Sequence, residues 1–530
     1  MTKYFKLLYQ KISQCKKHIL FIFAFTLLLL LDDHIFQIFN NANKVRFFGK
    51  TFWFILAISF ILSFVKNIKV IYAFLALFLF LDFSQLGYLA YFGTYLDPIV
   101  IPQIFLELPE ILQSGFGDFG KVYYVFLAVG IPYSALFYIT HKYHKNLYKI
   151  KFFWILLLIM LCYFPRKAIN ANNINPLLTN YERPSLYNGF KLYSAYFFNI
   201  LPNKSKYKIK EFEPYVMTKN TAMDVNIIIL YGESFNHHNI RDETMPHLTK
   251  IAKTEPNNFT MTKGISIATF TNTSVPMFFN MQKEAENYQM QIDKNFNLWK
   301  LAKEQNFKTL FISTQGRGTT NSMGVKNIDT LIAYQDEEKL INTINDDAVL
   351  EIFKRYDINE GNNFVVLHQR NLHSPYRANY IHREQEFNKF SNEYDNCMLY
   401  EDSLLNDLIT ELKKTNKTFY LFITSDHGEM TGQNGKWGHG TLDPLSAEIP
   451  MMLYTNDKNK TILNEFKKIW SPTHWDILQI ITKIMGYKVD NPNTPDNVYY
   501  INNTDLMGRD GFIKVIKDTK NKKIDYEIVR

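Results

Sequence analysis

Five long apolar stretches dominate the first third of the chain. They cover residues 19–31, 52–65, 70–92, 122–139 and 152–164. A helix needs ~20 apolar residues to cross ~30 Å of hydrocarbon, and the third and fourth stretches fit this length well. The first is short and stops at Asp32-Asp33, so it needs flanking residues or a locally thin bilayer to cross. A cleaved signal peptide explains only the first stretch, so the pattern predicts five membrane-spanning helices.

The positions of the basic residues predict the orientation of these helices. Lysines precede the first stretch and fill the connections after the second and the fourth, whereas residues 93–120 contain acidic residues and no Lys or Arg. Lys44, Arg46 and Lys50 weaken this pattern without reversing it. Because cytoplasmic connections are enriched in Lys and Arg, we expect the N-terminus inside and everything after residue 164 outside. If the first stretch does not span, this orientation is reversed.

The remaining two-thirds reads as an α/β domain. Short buried-strand patterns occur at residues 226–230, 309–313, 363–367 and 419–424, with 451–454 as a plausible fifth. Helical patterns lie between several of them, such as residues 394–414 with its leucines on one face. This alternation predicts a mainly parallel sheet covered by helices on both faces.

The predicted fold class is thus an α-helical transmembrane domain followed by an extracytoplasmic α/β domain. We predict a transmembrane domain at residues 1–168, an amphipathic bridging linker at 169–224 and a catalytic domain at 225–530. The outer loop 96–119 is expected to lie along the membrane surface. Aromatic residues at 187–198 suit either headgroup depth or an ordinary packed helix.

Composition narrows the classes of function. The formal charge of +9 over 530 residues is modest, and its Lys and Arg form no stripe typical of nucleic-acid binding. Three cysteines cannot build a disulfide framework. Cys397 is expected to be a packed core thiol on the helix at 394–414.

Polar motifs follow several of the predicted strands. They are Tyr231-Gly232-Glu233-Ser234, the segment from His368 to His373, and Ser425-Asp426-His427-Gly428-Glu429. Open α/β sheets bind ligands just beyond the carboxyl ends of their strands. We therefore expect these distant segments to converge on one site.

The side chains of these motifs suit a metal-activated nucleophile. Zinc accepts carboxylate oxygen and imidazole nitrogen, which Glu233, Asp426 and His427 supply. A threonine hydroxyl is a poor nucleophile until a dication makes its alkoxide accessible. We predict Thr271 as this nucleophile, with Thr269 and Thr273 as rivals that spacing alone does not exclude.

Two further histidines complete the predicted site. His373 and His439 would hold phosphoryl oxygens, a second metal or the leaving-group proton. Each motif alone has a simpler explanation, such as a turn, a helix cap or a surface histidine. Their joint occurrence, in this order and at strand ends, favours a metal site.

At these motifs the chain resembles the membrane phosphoethanolamine transferases of the alkaline phosphatase and sulfatase superfamily. The resemblance is most specific in Gly232-Glu233, in Thr271 five residues before Pro276, and in Asp426-His427-Gly428-Glu429 followed by His439-Gly440. It implies that Glu233, Thr271, Asp426 and His427 bind a catalytic Zn²⁺. It also implies that His373 and His439 lie near the phosphoryl group or a second zinc. Unlike many relatives, this chain has Ile267 and Met277 in place of cysteines beside the nucleophile loop.

The resemblance also implies a function and a location. We expect transfer of phosphoethanolamine from phosphatidylethanolamine to lipid A or lipooligosaccharide core through a covalent threonine intermediate. Weaker binding of cationic peptides such as polymyxin would follow. The expected location is a bacterial inner membrane, multi-pass, with the catalytic domain of a monomer in the periplasm.

Three alternatives stay open from the sequence. One is a phosphoglycerol transferase of the lipoteichoic acid synthase type, and another is a membrane-tethered phosphatase or sulfatase-like hydrolase. The third is a membrane sensor or binding protein with a decayed enzyme domain.

Overall fold

The computed structural model of the protein describes most of the chain. It covers residues 2–529 apart from 41–48, 93–94, 99, 102–103, 105–118, 172–176, 180–182, 204–215, 286–296, 321–322, 334–335, 337–344, 492–493 and 505–510. Most of the predicted surface loop at 96–119 lies outside the described residues. The chain forms two compact units, one of Met1–Pro102 and Asp118–Tyr207 and one of Gln103–Gly117 and Lys208–Arg530.

The first unit, here called the membrane unit, is helical in its described part. Its helices are α1 (Thr2–Asn40), α2 (Lys50–Phe64), α3 (Ile68–Phe92), α4 (Phe119–Tyr143), α5 (Trp154–Leu161), α6 (Tyr163–Ile169) and α7 (Ser185–Ala195). A π-helical turn, Tyr196–Ile200, continues α7.

Three helices of the described chain are long and apolar enough to cross a membrane. The candidate spans are Cys15–Ile38, Ile68–Ala90 and Tyr123–Asn146, and Phe52–Phe64 is a shorter apolar helix. The prediction of five spans is therefore not confirmed. The fifth stretch is divided between α5 and α6, because Pro165 has no N–H to continue the helical ladder to Leu161.

The first apolar stretch does not stop where the sequence suggested. The helix α1 continues to Asn40, and both Asp32 and Asp33 lie inside it with buried side chains. Some of their carboxylate oxygens accept hydrogen bonds within the unit, which lowers the cost of burying these side chains among apolar helices.

The helix α7 packs closely on α3. A Cβ atom at Gly189 would lie 2.7 Å from Cβ of Leu81, so only glycine permits this approach. Phe190 is buried against Phe78, as an ordinary packed helix requires, whereas Phe197 is 52% exposed. The packed-helix interpretation thus holds for Phe190, whereas a position at headgroup depth stays a prediction for Phe197. The division at residues 168 and 224 also stays a prediction.

The second unit is built around a seven-stranded sheet. The strands are β1 (Val216–Lys219), β2 (Asn226–Gly232), β3 (Phe259–Ile265), β4 (Phe307–Ser313), β5 (Thr330–Ile332), β6 (Asn362–His368), β7 (Phe419–Ser425), β8 (Met430–Thr431), β9 (Trp437–Gly438), β10 (Glu448–Thr455), β11 (Tyr487–Val489), β12 (Val498–Asn502), β13 (Phe512–Asp518) and β14 (Lys523–Val529). The order in the main sheet is β3-β10-β7-β2-β6-β4-β5.

The main sheet is mixed rather than purely parallel. The neighbouring pairs from β7 to β5 are parallel, whereas β10 runs antiparallel to both β7 and β3. The five predicted strands β2, β4, β6, β7 and β10 are all present. The strand β3 was not predicted, because its Thr and Lys residues interrupt the apolar pattern.

Helices cover this sheet. They are α8 (Pro246–Thr254), α9 (Thr271–Phe279), α10 (Leu298–Glu304), α11 (Asp347–Phe353), α12 (Tyr376–Tyr380), α13 (Glu384–Phe387), α14 (Glu393–Leu412), α15 (Thr461–Lys468) and α16 (His474–Ile484). Alternate residues of β2 enter two separate apolar cores, Ile227 and Ile229 on one face and Ile228 and Leu230 on the other.

The predicted helix at 394–414 is confirmed as α14. The side chain of Asn392 caps it by accepting a hydrogen bond from the amide of Tyr394. Cys397, Leu404 and Leu408 are buried on its inner face, so Cys397 is a core thiol as expected.

Candidate active site

Parallel pairing of two central strands brings the first two site residues together. Gly232 at the end of β2 pairs with Ser425 at the end of β7. The next residues along the chain are Glu233 and Asp426, which therefore leave the same edge of the sheet side by side. Both side chains are buried, with 1% and 0% of their surface exposed.

Thr271 meets these carboxylates from the start of α9. Its hydroxyl donates to Oε2 of Glu233 at 2.9 Å and lies 3.1 Å from Nε2 of His427. The two rival threonines are engaged elsewhere, because Thr269 donates to Asn503 and Thr273 donates to the carbonyl of Thr504. The predicted nucleophile is thus the threonine of this loop whose hydroxyl faces the acidic residues.

The imidazole of His427 has a fixed orientation. Its Nδ1 lies 3.0 Å from the carbonyl oxygen of Gly428, which can only accept, so Nδ1 carries the hydrogen. Nε2 then faces the centre of the site, 3.2 Å from Oε1 of Glu233 and 3.3 Å from Oδ2 of Asp426. A ring held this way presents Nε2 to a ligand.

One oxygen of Asp426 has no hydrogen-bond donor. Oδ1 accepts from the amides of Ser234, at 3.1 Å, and His427, at 2.7 Å, whereas the fully buried Oδ2 accepts no hydrogen bond and has Nε2 of His427 3.3 Å away. An orphaned buried carboxylate oxygen is costly unless a cation or proton satisfies it. Together with the oxygen and nitrogen donors beside it, this atom makes the site fit a zinc ion.

The charges in the site are strongly coupled. Burial alone would lower the pKa of His427, but the carboxylates of Asp426 and Glu233 outweigh it and raise this pKa to about 10. Burial, followed by the charge of Glu233, raises the pKa of Asp426 to about 7. Burial acts in the same direction on Glu233, yet the neighbouring histidines hold its pKa well below the ordinary value. The carboxylates of the pocket therefore favour a positive charge beside them, which protonated His427 or a bound cation can supply.

His439 lies directly beside His427. Its ring centroid is 4.2 Å from that of His427, and ligand atoms of Glu233, His427 and His439 all lie within 4.8 Å of one another. Nδ1 of His439 donates to Oε2 of Glu429 at 2.6 Å. Tyr376 donates to the other oxygen of Glu429.

His373 lies near His439. Its ring centroid is 6.2 Å from that of His439. Burial, followed by the charge of Arg370, lowers its pKa to about 3, so it is neutral at physiological pH. A neutral imidazole in this place can accept a hydrogen bond or bind a metal.

Sequence reasoning assigned no role to two residues that support the site. The amide of Gln315 donates to Oε2 of Glu233 and to the carbonyl of Gln369, both at 2.9 Å. Glu429 orients His439. Gln315 follows the end of β4, so the strand-end rule would have found it, whereas nothing in the sequence pairs Glu429 with His439. The side chain of Arg317, two residues further on, lies outside the described residues.

Comparison with known proteins shows what the part of the chain around this site is similar to. Residues 225–487 match the sulfatase family model. This part of the chain is thus similar to sulfatase domains. The phosphoethanolamine transferase EptA of Helicobacter pylori is 24% identical over 270 residues, which are 44% of this chain and 48% of that protein. The chain thus spans about half the length of the curated relatives it matches, and the resemblance stated from the motifs is confirmed.

Two solved structures are similar to the chain at low sequence identity. The integral membrane lipooligosaccharide phosphoethanolamine transferase A from Neisseria meningitidis is 14% identical, with a TM-score of 0.48 over 88% of this chain and 94% of that one. The zinc complex of the periplasmic domain of EptC from Escherichia coli is 19% identical, with a TM-score of 0.44 over 55% and 94%.

Proposed function

We propose that the chain is a zinc-dependent phosphoethanolamine transferase of a bacterial inner membrane. The observation that carries this proposal is the position of the Thr271 hydroxyl, 2.9 Å from Glu233 and 3.1 Å from His427. The names of the relatives support the choice of the transferred group. Apolar helices in the membrane unit suit a donor that is itself a membrane lipid.

Glu233, Thr271, Asp426 and His427 would hold the catalytic zinc, and His373 and His439 would contact phosphoryl oxygens or a second zinc. Bound zinc would make the threonine alkoxide accessible and stabilise negative charge on the phosphoryl oxygens. The unpartnered Oδ2 of Asp426 supports this ligand set.

In the first step Oγ1 of Thr271 forms a bond to the phosphorus of phosphatidylethanolamine. Its proton leaves along the hydrogen bond to Glu233. The bond between phosphorus and the diacylglycerol oxygen breaks, and that oxygen takes the electron pair and a proton. His439, held in place by Glu429, is the proposed source of this proton.

In the second step an oxygen of lipid A or of lipooligosaccharide core attacks the phosphoethanolamine-threonine. The new phosphorus–oxygen bond replaces the bond to Thr271, whose oxygen takes back the proton from Glu233. His439 recovers its proton from the acceptor hydroxyl, or from water where the acceptor is an ionised phosphate. The added amine makes the acceptor less anionic, so the cell would bind cationic peptides such as polymyxin more weakly.

The test uses the full chain in nanodiscs with zinc, headgroup-labelled phosphatidylethanolamine and purified lipid A. We expect labelled lipid A with wild type and with Thr273→Ala, the matched neighbouring variant, and none with Thr271→Ala. Phosphatidylglycerol as the preferred donor would indicate a phosphoglycerol transferase. Equally fast release of free phosphoethanolamine without acceptor would indicate a hydrolase, and either result contradicts the proposal.

A further inference from the structure

The membrane unit holds a buried cluster of three carboxyl groups. Asp32 and Asp33 lie on α1 and Asp82 lies on α3, and each side chain is at most 1% exposed. Ser185, at the start of α7, donates from its hydroxyl to Oδ1 of Asp82 at 2.6 Å and from its amide to Asp33 at 3.0 Å. Tyr133 of α4 donates to Asp82. Four helices therefore meet at this cluster.

One carboxylate oxygen of the cluster has no donor. Oδ1 of Asp32 accepts from the amide of Asp33 at 2.8 Å, whereas the buried Oδ2 accepts from no group. The side chains of Asp32 and Asp82 are close enough to repel each other when both are ionised. Two acidic side chains are thus neighbours, and neither brings a positive charge to the other.

The remaining donors do not satisfy the cluster. The hydroxyl of Ser185 lies 3.1 Å from Asp33 and 2.6 Å from Asp82, yet it has one hydrogen to give. Among the described residues, no lysine, arginine or histidine forms an ion pair with any of the three aspartates. Unpaired charges among apolar helices are costly, so the cluster has to be neutralised by a bound cation or by protons.

We propose that Asp32, Asp33 and Asp82, together with Oγ of Ser185, bind a hard divalent cation, Ca²⁺ or Mg²⁺. The potential ligands are all oxygen atoms, which these ions prefer, whereas zinc favours nitrogen and sulfur. Two positive charges compensate three carboxylates better than one does. The ion would tie α1, α3 and α7 together within the membrane unit, independently of the site around Thr271.

The test measures ion binding by the full chain in a neutral detergent. All samples contain saturating zinc, so that the candidate active site is filled throughout, and KCl keeps the ionic strength constant. We expect CaCl₂ or MgCl₂ to raise the melting temperature in a saturable way, with one ion bound per chain in equilibrium dialysis. Asp32→Asn should lose this response.

Asp97→Asn is the matched control. Asp97 is also a buried carboxylate of this unit, but it accepts two hydrogen bonds from Thr179 and does not join the cluster. This variant should keep the ion response.

A second measurement guards against a variant that is merely unstable. In the same zinc-containing buffer without CaCl₂ or MgCl₂, Asp32→Asn should melt above wild type, because it removes one repelling charge, and Asp82→Asn should respond in the same direction. The proposal is wrong if no saturable response exists or if Asp32→Asn responds like wild type. It is also wrong if acidification alone stabilises the wild type and divalent ions do nothing, since protons would then neutralise the carboxylates.

Discussion

Glu429 accepts a hydrogen bond from Nδ1 of His439, with 2.6 Å between the two atoms. This carboxylate holds the ring of His439 beside that of His427, with 4.2 Å between the two ring centroids. The pair couples a motif at the end of β7 to a loop ten residues later. Such carboxylate–histidine pairs commonly set both the orientation and the basicity of an imidazole.

The Glu429→Gln variant tests this pair. We expect transfer to fall by about 10–100-fold, mostly in kcat, because the amide holds the imidazole more weakly while the lipid-binding surface is unchanged. Tyr376→Phe is the control, since it removes the other hydrogen bond to Glu429 and leaves His439 its partner. Wild-type kcat in Glu429→Gln would show that His439 needs no orienting carboxylate.

Zinc should stabilise the protein through Asp426. A ligand present at 100 times its dissociation constant contributes about 2.7 kcal/mol to the free energy of unfolding. We expect zinc to raise the melting temperature of metal-stripped wild type and to have little effect on Asp426→Asn. Asp402→Asn is a matched control, because Asp402 is a buried carboxylate that caps α8 by accepting from the amides of His247 and Leu248. An equal zinc response in Asp426→Asn would remove this residue from the ligand set.

Gln315 should act as a positioning residue for Glu233. Gln315→Ala removes the hydrogen bond to Oε2, and we expect zinc affinity to weaken by about 10–100-fold. Gln315→Glu should change the pH dependence of zinc affinity, because it places a second carboxylate beside Glu233. Isothermal titration with zinc measures both affinities. Unchanged affinity in Gln315→Ala would mean that the other contacts of Glu233, including those with Thr271 and His427, position it without Gln315.

Strand ends were the part of the site that the sequence could predict. The apolar runs of β2 and β7 identify the residues that follow them, and parallel pairing then brings Glu233 beside Asp426. The choice of Thr271 over Thr269 and Thr273 depends on where three neighbouring hydroxyls point. That direction is set by contacts with residues 503 and 504, more than 200 residues away in the chain.

The membrane unit was harder to predict for a related reason. Apolar composition indicated five stretches, but helix length depends on backbone hydrogen bonding, which Pro165 interrupts. The same composition made Asp32 and Asp33 look like the end of a helix. They are instead inside α1, because Ser185 and other groups of distant helices are there to contact them.

Glu401 gives a prediction for the pH dependence of stability. Burial raises the pKa of this carboxyl group to about 8, although Asn371 and Gln369 each donate a hydrogen bond to it. The folded state therefore binds the proton more tightly than the unfolded state, whose value is near 4.5. The stability contributed by the protonated group is present below pH 4.5 and is lost as the pH rises towards 8.

Glu401→Gln should remove this loss. We expect its melting temperature relative to wild type to rise steadily between these two pH values and to level off above them. Thermal unfolding across a pH series measures the difference, and a pH-independent offset would mean that Glu401 ionises normally in the folded protein.

The most direct test of the account is to locate the phosphoethanolamine group on the protein during turnover. The full-length wild-type protein is incubated with zinc and phosphatidylethanolamine without acceptor, quenched with acid, digested and mapped by mass spectrometry. The account predicts an added phosphoethanolamine on Thr271, and its disappearance when lipid A is supplied before the quench. An adduct on Thr269, on Thr273 or on no residue while transfer proceeds would contradict it.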